Sequence, residues 1–461
     1  MFHDPEFLPF DPNRRPTYRA SLRNFLEAFP PQAYRDGFTS LPGFMTAPRI
    51  FYLTDPDLIE ELLVTRAEHF TRDIVTANAI KGPIDRESLF FAEGAEWKWQ
   101  RRAVSPAFRH ENILALVPTF AKCADRQAQA WRAAPAGAPI DAMRAMLRTT
   151  FSVIEAAVLG ASDSLDGEKF LDALTPALGT MGWRYIYALF GLPMWLPHPG
   201  AARARAAIRY LGEETAKAVA ARRATEVERR DILGLLLSAR DPETNRVMTE
   251  AELAGNLYSV IVAGHETAAV ALTFTLWLLA KDQASQQRVR EEVRAVAGDA
   301  AVGPDTVEKL VFTRQALLEG MRLFPPAPSI GRQPRRDTML GPHKVLAKEP
   351  IYVALWCLHR NEKLWDTPNA FDPDRFAPEK AKARHRYAYL PFGAGPRICV
   401  GMNFALLEMT TIVATLIREF HLSPAPGHRL ELATTFTVRP KGGLPLVFEP
   451  VEASALRTAA E

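Results

Sequence analysis

Cys399 lies in a short glycine-rich stretch, residues 392–401, whose composition suits a loop that holds one thiolate against a metal ion. Gly393 and Gly395 allow the tight turns that aim backbone N–H groups at a sulfur atom, and the final glycine leaves room for a flat ligand. The apolar segment that follows, 402–420, has helical periodicity. Cys399 would therefore lie at a helix N-terminus, where the dipole lowers the pKa of a thiol. Together these features predict that Cys399 is an anionic metal ligand.

A second group of residues that could take part in catalysis is the run 263–267, Ala-Gly-His-Glu-Thr, which lies inside a long apolar segment. A threonine hydroxyl beside a carboxylate can relay protons, so Glu266 and Thr267 are candidate catalytic residues. The small residues that open the run would let a planar cofactor lie against the helix. The simpler alternative is that Thr267 only bonds the carbonyl one helical turn earlier. His265 could ligate a metal, but we favour a structural or pocket-edge role.

Two further pairs are spaced to share a helical face. Trp97 and Arg101 are four residues apart, so an indole N–H and a guanidinium would point the same way. Glu319 and Arg322 are three residues apart, which allows a carboxylate and a guanidinium to pair in bidentate geometry. Taken alone, the second pair is equally compatible with a surface salt bridge, which would contribute little to the stability of the protein.

The elements that must position these residues are mostly helices. Periodicity predicts helices over 140–159, 253–280, 285–297 and 307–323, in addition to the one after Cys399. Short runs at 49–54, 351–355 and 444–448 are typical of strands. No internal repeat, low-complexity segment or linker marks a second domain.

Composition excludes several classes of protein. A net charge of +3 with 24% charged residues argues against nucleic acid as the main partner. The three cysteines, Cys123, Cys357 and Cys399, are too scattered for a disulfide framework or a zinc site and favour a reducing compartment. The N-terminus has no basic stretch followed by an apolar run, and no segment approaches about eighteen uninterrupted apolar residues. We therefore expect a cytoplasmic protein without a transmembrane anchor.

The loop around Cys399 resembles the haem-binding signature of the cytochrome P-450 superfamily, F-x-x-G-x-R-x-C-x-G. Its fixed positions are matched by Phe392, Gly395, Arg397, Cys399 and Gly401. A chance match in a chain of this length has odds on the order of one in ten thousand. The resemblance is strongest over 49–448 and implies a soluble, bacterial-type member. It also implies a mainly α fold with a smaller β-rich region, a single cytochrome P-450 domain over 1–461 and no fused reductase.

The resemblance implies roles for the residues above. Cys399 would be the iron ligand of haem b, with Glu266 and Thr267 delivering protons. The haem would be bound by Trp97, Arg101, Arg332, Phe392, Arg397 and Cys399. Its two carboxylates would be neutralised by the three arginines, because buried charges without partners are costly. A buried charge network of Glu319, Arg322 and Arg375 would brace the loop before Cys399; Asp374 stands where the family usually has Glu.

A substrate pocket also follows from the resemblance, built from segments 76–91, 260–267, 326–330 and 436–437. The candidate lining residues are Phe90, Phe91, Ile261, Val262, Ala263, Ala327, Ile330 and Phe436. They are apolar, which favours a hydrophobic substrate, although such residues are equally typical of a core. Residues 190–200 fall where the family has a mobile lid. Gating, contact with a membrane surface and ordinary packing all remain open for this segment.

The function that the resemblance implies is that of a haem-thiolate monooxygenase. It would activate dioxygen and insert one oxygen atom into a hydrophobic organic substrate by hydroxylation or epoxidation. Electrons would come from a separate ferredoxin or flavin-type redox partner that docks near Lys98, Arg102 and Arg109. The alternatives are a peroxide-using or lipid-rearranging haem-thiolate enzyme, a non-enzymatic haem-binding protein, and a helical scaffold without haem. The Glu266–Thr267 pair favours the monooxygenase, since variants of the first kind usually alter it.

Overall fold

A computed structural model describes residues 2–3, 24–80, 87–135, 137–160, 167–224, 231–241, 243–434 and 436–451. Helices α1 to α9 are Pro56–Glu60, Ile74–Ile80, Gly94–Val104, His110–Leu114, Val117–Arg132, Ala142–Val158, Gly167–Gly179, Met181–Phe190 and Ala201–Ala224. Helices α10 to α17 are Ile232–Ser238, Glu250–Lys281, Gln283–Ala297, Pro304–Val307, Val311–Leu323, Leu355–Leu358, Pro378–Ala383 and Met402–Glu419. The predicted mainly α fold with a smaller β-rich region is confirmed.

The strands are short and form several small sheets. Strands β1 to β7 are Phe2–His3, Phe38–Leu41, Ile50–Leu53, Phe70–Thr71, Ile140–Asp141, Ile330–Pro334 and Thr338–Leu340. Strands β8 to β14 are His343–Val345, Ile351–Val353, Ala370–Phe371, Phe420–Pro424, Leu432–Thr434, Val438–Pro440 and Pro445–Pro450. The largest sheet has the order β2-β3-β9-β6-β4, with β3 and β9 parallel and its other pairs antiparallel. β11, β14 and β5 form a second sheet, and β12 pairs with β13 in a hairpin.

The longest helix, α11, runs through the core. Thr249 and Glu252 form a capping box at its start, because each side chain accepts a hydrogen bond from the other residue's backbone N–H. Most of its residues are buried, and it packs against α6, α14 and β11. Among the described residues, α11 alone is long and apolar enough to cross a membrane, and 67% of that apolar window is buried within the protein. Such burial is typical of a core helix, which is apolar on all sides.

Two predicted helices differ from the structure at their starts. Residues 140–141 form strand β5, because Ile140 pairs with Leu446 of β14 and the Asp141 carboxylate then caps α6 at the N–H of Met143. The segment 307–323 is interrupted after α13, and α14 begins only at Val311. The carboxylate of Glu292 from α12 accepts the first N–H groups of α14, which sets that boundary through a tertiary contact.

Candidate functional site

A cavity of about 1640 Å³ lies beside Cys399. Its walls come from α2, α3, α8, α11, β6, the loop before α17 and the first turns of α17. Pockets for drug-sized ligands typically occupy about 300–1,000 Å³. This cavity therefore has room for a large cofactor together with a second organic molecule.

The loop that carries Cys399 depends on its glycines. Gly393 and Gly395 have φ angles of +74° and +72°, in the left-handed region that favours glycine. A Cβ atom on Gly395 would lie 1.8 Å from the carbonyl oxygen of Leu63, so no other residue fits at this position. The backbone N–H of Cys399 donates to the carbonyl of Phe392 at 3.0 Å, which closes the loop. The loop therefore presents Cys399 to the cavity three residues before α17 begins.

The electrostatic environment of the Cys399 thiol differs from the sequence expectation. Its side chain is exposed to the cavity rather than to the outer surface. This enclosure raises the pKa of Cys399, although a hydrogen bond from the Gly401 backbone and the charge of Arg101 act in the opposite direction. Desolvation is thus the largest influence on this thiol, and it acts against the lowering expected at a helix N-terminus. Binding of a metal ion displaces the thiol proton and stabilises the thiolate.

Trp97 and Arg101 lie one turn apart on α3 and both line the cavity. Nη1 of Arg101 donates to the carbonyl of Ile398 at 3.1 Å, directly beside Cys399. Burial lowers the pKa of Arg101. The indole ring of Trp97 is covered by the guanidinium of Arg397, whose central carbon is 4.7 Å from the ring centroid.

Arg397 and Arg332 also line the cavity, as does Phe392. Arg397 pairs with Glu93 at 3.1 Å and donates to the Ala92 carbonyl at 2.9 Å. Its Nη1 atom is buried without a hydrogen-bond partner among the described residues. Burial, followed by repulsion from Arg397, lowers the pKa of Arg332 to about 10. The two guanidinium groups are therefore near each other in a buried part of the cavity wall, with the carboxylates of Asp73 and Glu93 also nearby.

Arg72 is a cavity residue that the sequence reasoning missed. Its guanidinium stacks 4.0 Å from the ring centroid of Phe90. Burial lowers its pKa to about 9, with further contributions from Arg397 and Arg332. The sequence gives little signal for this residue, because it falls within no spaced motif and joins the other arginines only through tertiary contacts.

The predicted cofactor fits these residues. Haem carries two carboxylates, and the cavity offers four guanidinium groups, those of Arg72, Arg101, Arg332 and Arg397. The unpartnered Nη1 of Arg397 supplies a buried donor for a carboxylate. No cluster of three or more His, Cys, Asp or Glu side chains suited to a metal ion occurs in the described parts of the chain. A haem iron held by the single sulfur of Cys399 agrees with this donor set.

Thr267 and Glu266 point in different directions from α11. Thr267 lines the cavity, and its hydroxyl donates to the carbonyl of Ala263 at 2.6 Å. Glu266 is 4% exposed, lies outside the cavity wall and accepts a 2.5 Å hydrogen bond from the hydroxyl of Thr437. Arg439 pairs with the same carboxylate at 3.0 Å. Glu266 is therefore bound to Thr437 and Arg439, which both belong to the β12–β13 hairpin. The sequence analysis did not identify these two partners.

His265 and Gly264 contact α6 from their positions on α11. His265 is buried with its ring edge-on to Phe151, at a centroid distance of 6.0 Å. Burial lowers the pKa of His265 to about 4, so it is neutral at physiological pH. A Cβ atom on Gly264 would lie 3.0 Å from Cδ1 of Ile154. The glycine thus serves close packing against α6, in addition to lining the cavity.

The candidate substrate residues divide into two groups. The cavity is lined by Phe90, Ala263, Ala327, Ile330 and Phe436. Three others do not line it: Ile261 is buried in the core, Val262 packs against that core, and Phe91 stands behind Phe90 at a centroid distance of 4.9 Å. The reason is helical periodicity, since the face of α11 toward the cavity carries positions 260, 263, 264, 267, 268 and 271. Part of the predicted segment 76–91, residues 81–86, lies outside the described residues.

Glu319 and Arg322 on α14 are both fully buried and form a bidentate pair with distances of 2.7 and 2.8 Å. Arg375 lies 3.3 Å from the same carboxylate. The guanidinium of Arg322 also donates to three backbone carbonyls, those of His359, Pro368 and Ala370. The structure thus brings the three predicted network residues together in the interior.

This network connects to the Cys399 loop through His359. The ring Nε2 of His359 accepts a 3.1 Å hydrogen bond from the N–H of Leu390, just before the loop. The ring is fully buried, and burial with nearby positive charge lowers the pKa of His359 well below its usual value. A neutral ring can accept this bond, so the network fixes where the loop begins.

The segment 190–200 combines exposed and packed residues. Leu192 and Trp195 are exposed, and Gly191 ends α8 in the left-handed conformation. The hydroxyl of Tyr187 donates to the carbonyl of Pro197 at 3.1 Å, which ties the segment back to α8. Phe190 reaches the cavity wall. A gating role for this segment stays a prediction.

Of the three cations expected to meet a redox partner, Lys98 and Arg109 are exposed. Arg102 instead pairs with Asp241 and Glu243, each at 3.1 Å. α3 borders the Cys399 loop, and α4, which begins after Arg109, packs against α17. Lys98 and Arg109 are therefore exposed cations on, or directly before, helices that contact the Cys399 loop or α17, whereas Arg102 is paired with two carboxylates.

Comparisons with known proteins agree with this geometry. A family model described as Cytochrome P450 matches residues 42–446. The cyclooctatin synthase of Streptomyces melanosporofaciens is 30% identical, over 83% of this chain and 83% of its own length. A cytokinin hydroxylase of Arabidopsis thaliana is 28% identical, over 88% of this chain and 80% of its own length. The 11-oxo-beta-amyrin 30-oxidase of Glycyrrhiza uralensis is 28% identical, over 87% of this chain and 79% of its own length.

Proposed function

The chain belongs to the cytochrome P450 family, and from this premise we propose that it inserts one oxygen atom of dioxygen into a hydrophobic organic substrate. Monooxygenation is the general reaction of the family and haem b its cofactor. When bound, haem supplies the activation of dioxygen and the transfer of oxygen to carbon. The observation that carries the proposal is that Cys399 and Thr267 line one largely apolar cavity, which also contains a cluster of arginines.

Each group in the cavity has a separate task. The sulfur of Cys399 would bind the iron, and the arginines would hold the carboxylates of the haem and neutralise them. The Thr267 hydroxyl would hold and pass a proton at its Oγ1 atom. Its present acceptor, the Ala263 carbonyl, leaves the oxygen lone pairs free to accept another hydrogen bond. Glu266, which lies outside the cavity wall, would exchange protons with the cavity through the hydroxyl of Thr437, which lines it.

We expect Thr267→Ala to bind haem and substrate but to lose the coupling of electron use to product formation. Positioned proton transfer contributes about 10²–10⁴-fold to a rate, so product formed per electron should fall about tenfold or more. The measurement uses a surrogate reductase and the tightest-binding compound from a panel of terpenes, steroids, fatty acids and aromatic acids. It compares product with the reducing equivalents consumed.

Thr273→Ala is the matched control for this prediction. Thr273 is on the same helix and its hydroxyl donates to Ala269 at 2.6 Å, but it is fully buried and lies outside the cavity wall. It should leave the ratio of product to electrons unchanged. Equal ratios in wild type and Thr267→Ala would show that Thr267 is a packing residue. Absence of product from wild type with every compound would contradict the monooxygenase proposal itself.

The proposal includes a separate ferredoxin or flavin-type electron donor with an acidic surface. Lys98 is exposed on α3, whose Arg101 donates to the Cys399 loop, and Arg109 is exposed directly before α4. Such charges steer an acidic partner, and salt screens this effect. We expect Lys98→Glu combined with Arg109→Glu to slow reduction of the iron about tenfold or more at low salt and less at high salt. Stopped-flow reduction measures this rate.

Arg203→Glu combined with Arg205→Glu is the control for the docking prediction, because Arg203 and Arg205 are exposed cations on α9. This double variant carries the same change of charge and should leave the reduction rate unaltered. If both variants change the reduction rate equally, or if this rate does not depend on ionic strength, the donor docks elsewhere. Arg102 is unsuited to this test because its reversal would also break its pairing with Asp241.

A cytoplasmic location is part of the same proposal. Cys123, Cys357 and Cys399 are all unpaired thiols, which is typical of a reducing compartment. Cell fractionation tests this location, and recovery of the protein with membranes would contradict it.

A further inference from the structure

A chain of three polar side chains crosses the wall of the cavity. The hydroxyl of Tyr185 on α8 lies 3.0 Å from the hydroxyl of Tyr352 on β9, and the Tyr352 hydroxyl lies 3.1 Å from Oδ1 of Asp73. All three residues line the cavity, and Asp73 and Tyr352 are each 1% exposed. Phe25 packs edge-on against both tyrosine rings. The two hydroxyl groups therefore lie among aromatic rings, while Asp73 lies near the arginines of the cavity.

The direction of these hydrogen bonds follows from Asp73. Its Oδ1 already accepts the N–H of Thr76 at 2.7 Å, so it acts as an acceptor toward Tyr352 as well. The single hydroxyl hydrogen of Tyr352 is thus used for Asp73, and that of Tyr185 for Tyr352. Among the described residues, Tyr352 is the only hydrogen-bond partner of the Tyr185 hydroxyl. Tyr185 is left with acceptor lone pairs and no hydrogen to donate.

The surrounding structure holds this arrangement in place. A Cβ atom on Gly331 of β6 would lie 1.8 Å from Oδ2 of Asp73, so the carboxylate occupies the space of a missing side chain. The side chain of Gln333 accepts the N–H of Ile74, which fixes the start of α2 next to Asp73. Burial raises the pKa of Tyr185 and of Tyr352, so both phenols stay protonated at physiological pH. The acceptor at Tyr185 is therefore preorganised.

The charges around the cavity indicate that its second occupant is neutral. The guanidinium groups of Arg72, Arg101, Arg332 and Arg397 are matched by the two haem carboxylates together with Asp73 and Glu93. Glu408 also lines the cavity, but burial raises its pKa well above the ordinary value and favours its neutral form. No cationic group is left over for an anionic substrate. No anionic group is left over for a positively charged substrate either, and burying an unpaired charge is costly.

We propose that the Tyr185 hydroxyl is a substrate-binding acceptor, and that the substrate class is a neutral, mainly hydrocarbon skeleton bearing a hydroxyl group. The substrate hydroxyl donates to Tyr185, while the rest of the skeleton contacts the apolar wall that includes Phe90, Ile330 and Phe436. Because the hydroxyl hydrogen of Tyr185 is already used in a hydrogen bond, this residue binds a group that donates a hydrogen bond in preference to a carbonyl or an ether. This inference rests on the proposed function, because it concerns the substrate of the same cavity.

The test compares matched hydrocarbons and alcohols in wild type and in Tyr185→Phe, using the haem-loaded enzyme. The probes are bornane and borneol, cedrane and cedrol, and cholestane and cholestanol. Dissociation constants are measured by the spin-state change of the haem absorption and, independently, by calorimetry. Tyr187→Phe is the control, since Tyr187 is on the same helix but its hydroxyl donates to Pro197 outside the cavity wall.

We expect wild type to bind at least one alcohol more tightly than its hydrocarbon. Tyr185→Phe should raise the dissociation constant of that alcohol about three- to tenfold, which is the contribution of one hydrogen bond. It should change the dissociation constant of the hydrocarbon by less than about twofold. Tyr187→Phe should change neither. The subsite is wrong if no alcohol is preferred by wild type, or if Tyr185→Phe weakens both members of a pair equally.

The two proposals fail in distinguishable ways. In one case the enzyme prefers an alcohol, this preference requires Tyr185, and no product forms under reducing conditions. That result would contradict the monooxygenase proposal but support the subsite. Product formed from an apolar compound, with alcohol binding indifferent to Tyr185, would contradict the subsite alone.

Discussion

Replacing Cys399 by alanine is expected to abolish the thiolate-ligated haem. The sulfur is the protein atom that the loop presents to the cavity for iron, and no alternative cluster of metal ligands occurs in the described residues. The reduced, carbon monoxide-bound variant should therefore lose the thiolate-type absorption band completely, and oxygen transfer should be lost with it. Absorption spectra of purified protein with measured haem content check the result.

Cys123→Ala and Cys357→Ala are the matched controls for Cys399→Ala. Both cysteines are buried, and desolvation raises the pKa of each thiol, that of Cys123 in spite of its hydrogen bond from Arg126. Neither residue lines the cavity. Both variants should keep the thiolate band. A band that survives in Cys399→Ala and disappears in either control would overturn the ligand assignment.

Glu319→Ala is expected to destabilise the fold rather than to slow the chemistry. The substitution leaves Arg322 fully buried without its carboxylate, and it removes the partner of Arg375. Removing one partner of a buried ion pair typically costs about 3–5 kcal/mol, a large part of the stability of an ordinary domain. The backbone N–H of Asp372 also loses its acceptor on Glu319. The variant should be recovered mostly as apoprotein or aggregate.

Glu379→Ala provides the comparison for Glu319→Ala, since Glu379 is an exposed glutamate on α16. Surface changes of this kind usually alter the free energy of unfolding by less than about 0.5 kcal/mol. Denaturant unfolding and haem content distinguish the two variants. Soluble, haem-replete Glu319→Ala with unchanged unfolding and reduced turnover would instead assign a chemical role to Glu319.

The sequence was most informative where the chemistry is local. The residues that surround Cys399 are close in the chain, and the left-handed angles of Gly393 and Gly395 leave few other residues possible. The spacing of Trp97 and Arg101, and of Glu319 and Arg322, is set by the helical repeat, which any sequence displays directly. For this reason the family, the mainly α fold and the haem cofactor could all be predicted and are confirmed.

Periodicity also contained information that the sequence reasoning left unused. A segment prediction that included Ile261 and Val262 ignored the angle of about 100° between successive helical residues. The structure turns both away from the cavity, whereas Ala263 and Thr267, four residues apart, share its wall. The boundary of α14 could not be found in this way, because the carboxylate that caps it belongs to another helix.

What the sequence determined by itself was the chemical repertoire: one thiolate loop, one acid–alcohol pair and a set of arginines. Only the tertiary structure decided how these groups are combined, through contacts between residues far apart in the chain. Examples are Arg439 with Glu266, Trp97 with Arg397, and Tyr185 with Tyr352. Desolvation likewise belongs to the folded state, and it reverses the expected direction of the Cys399 pKa. The physical reason is that local geometry is set by neighbouring residues, whereas burial and electrostatic pairing depend on the whole packed interior.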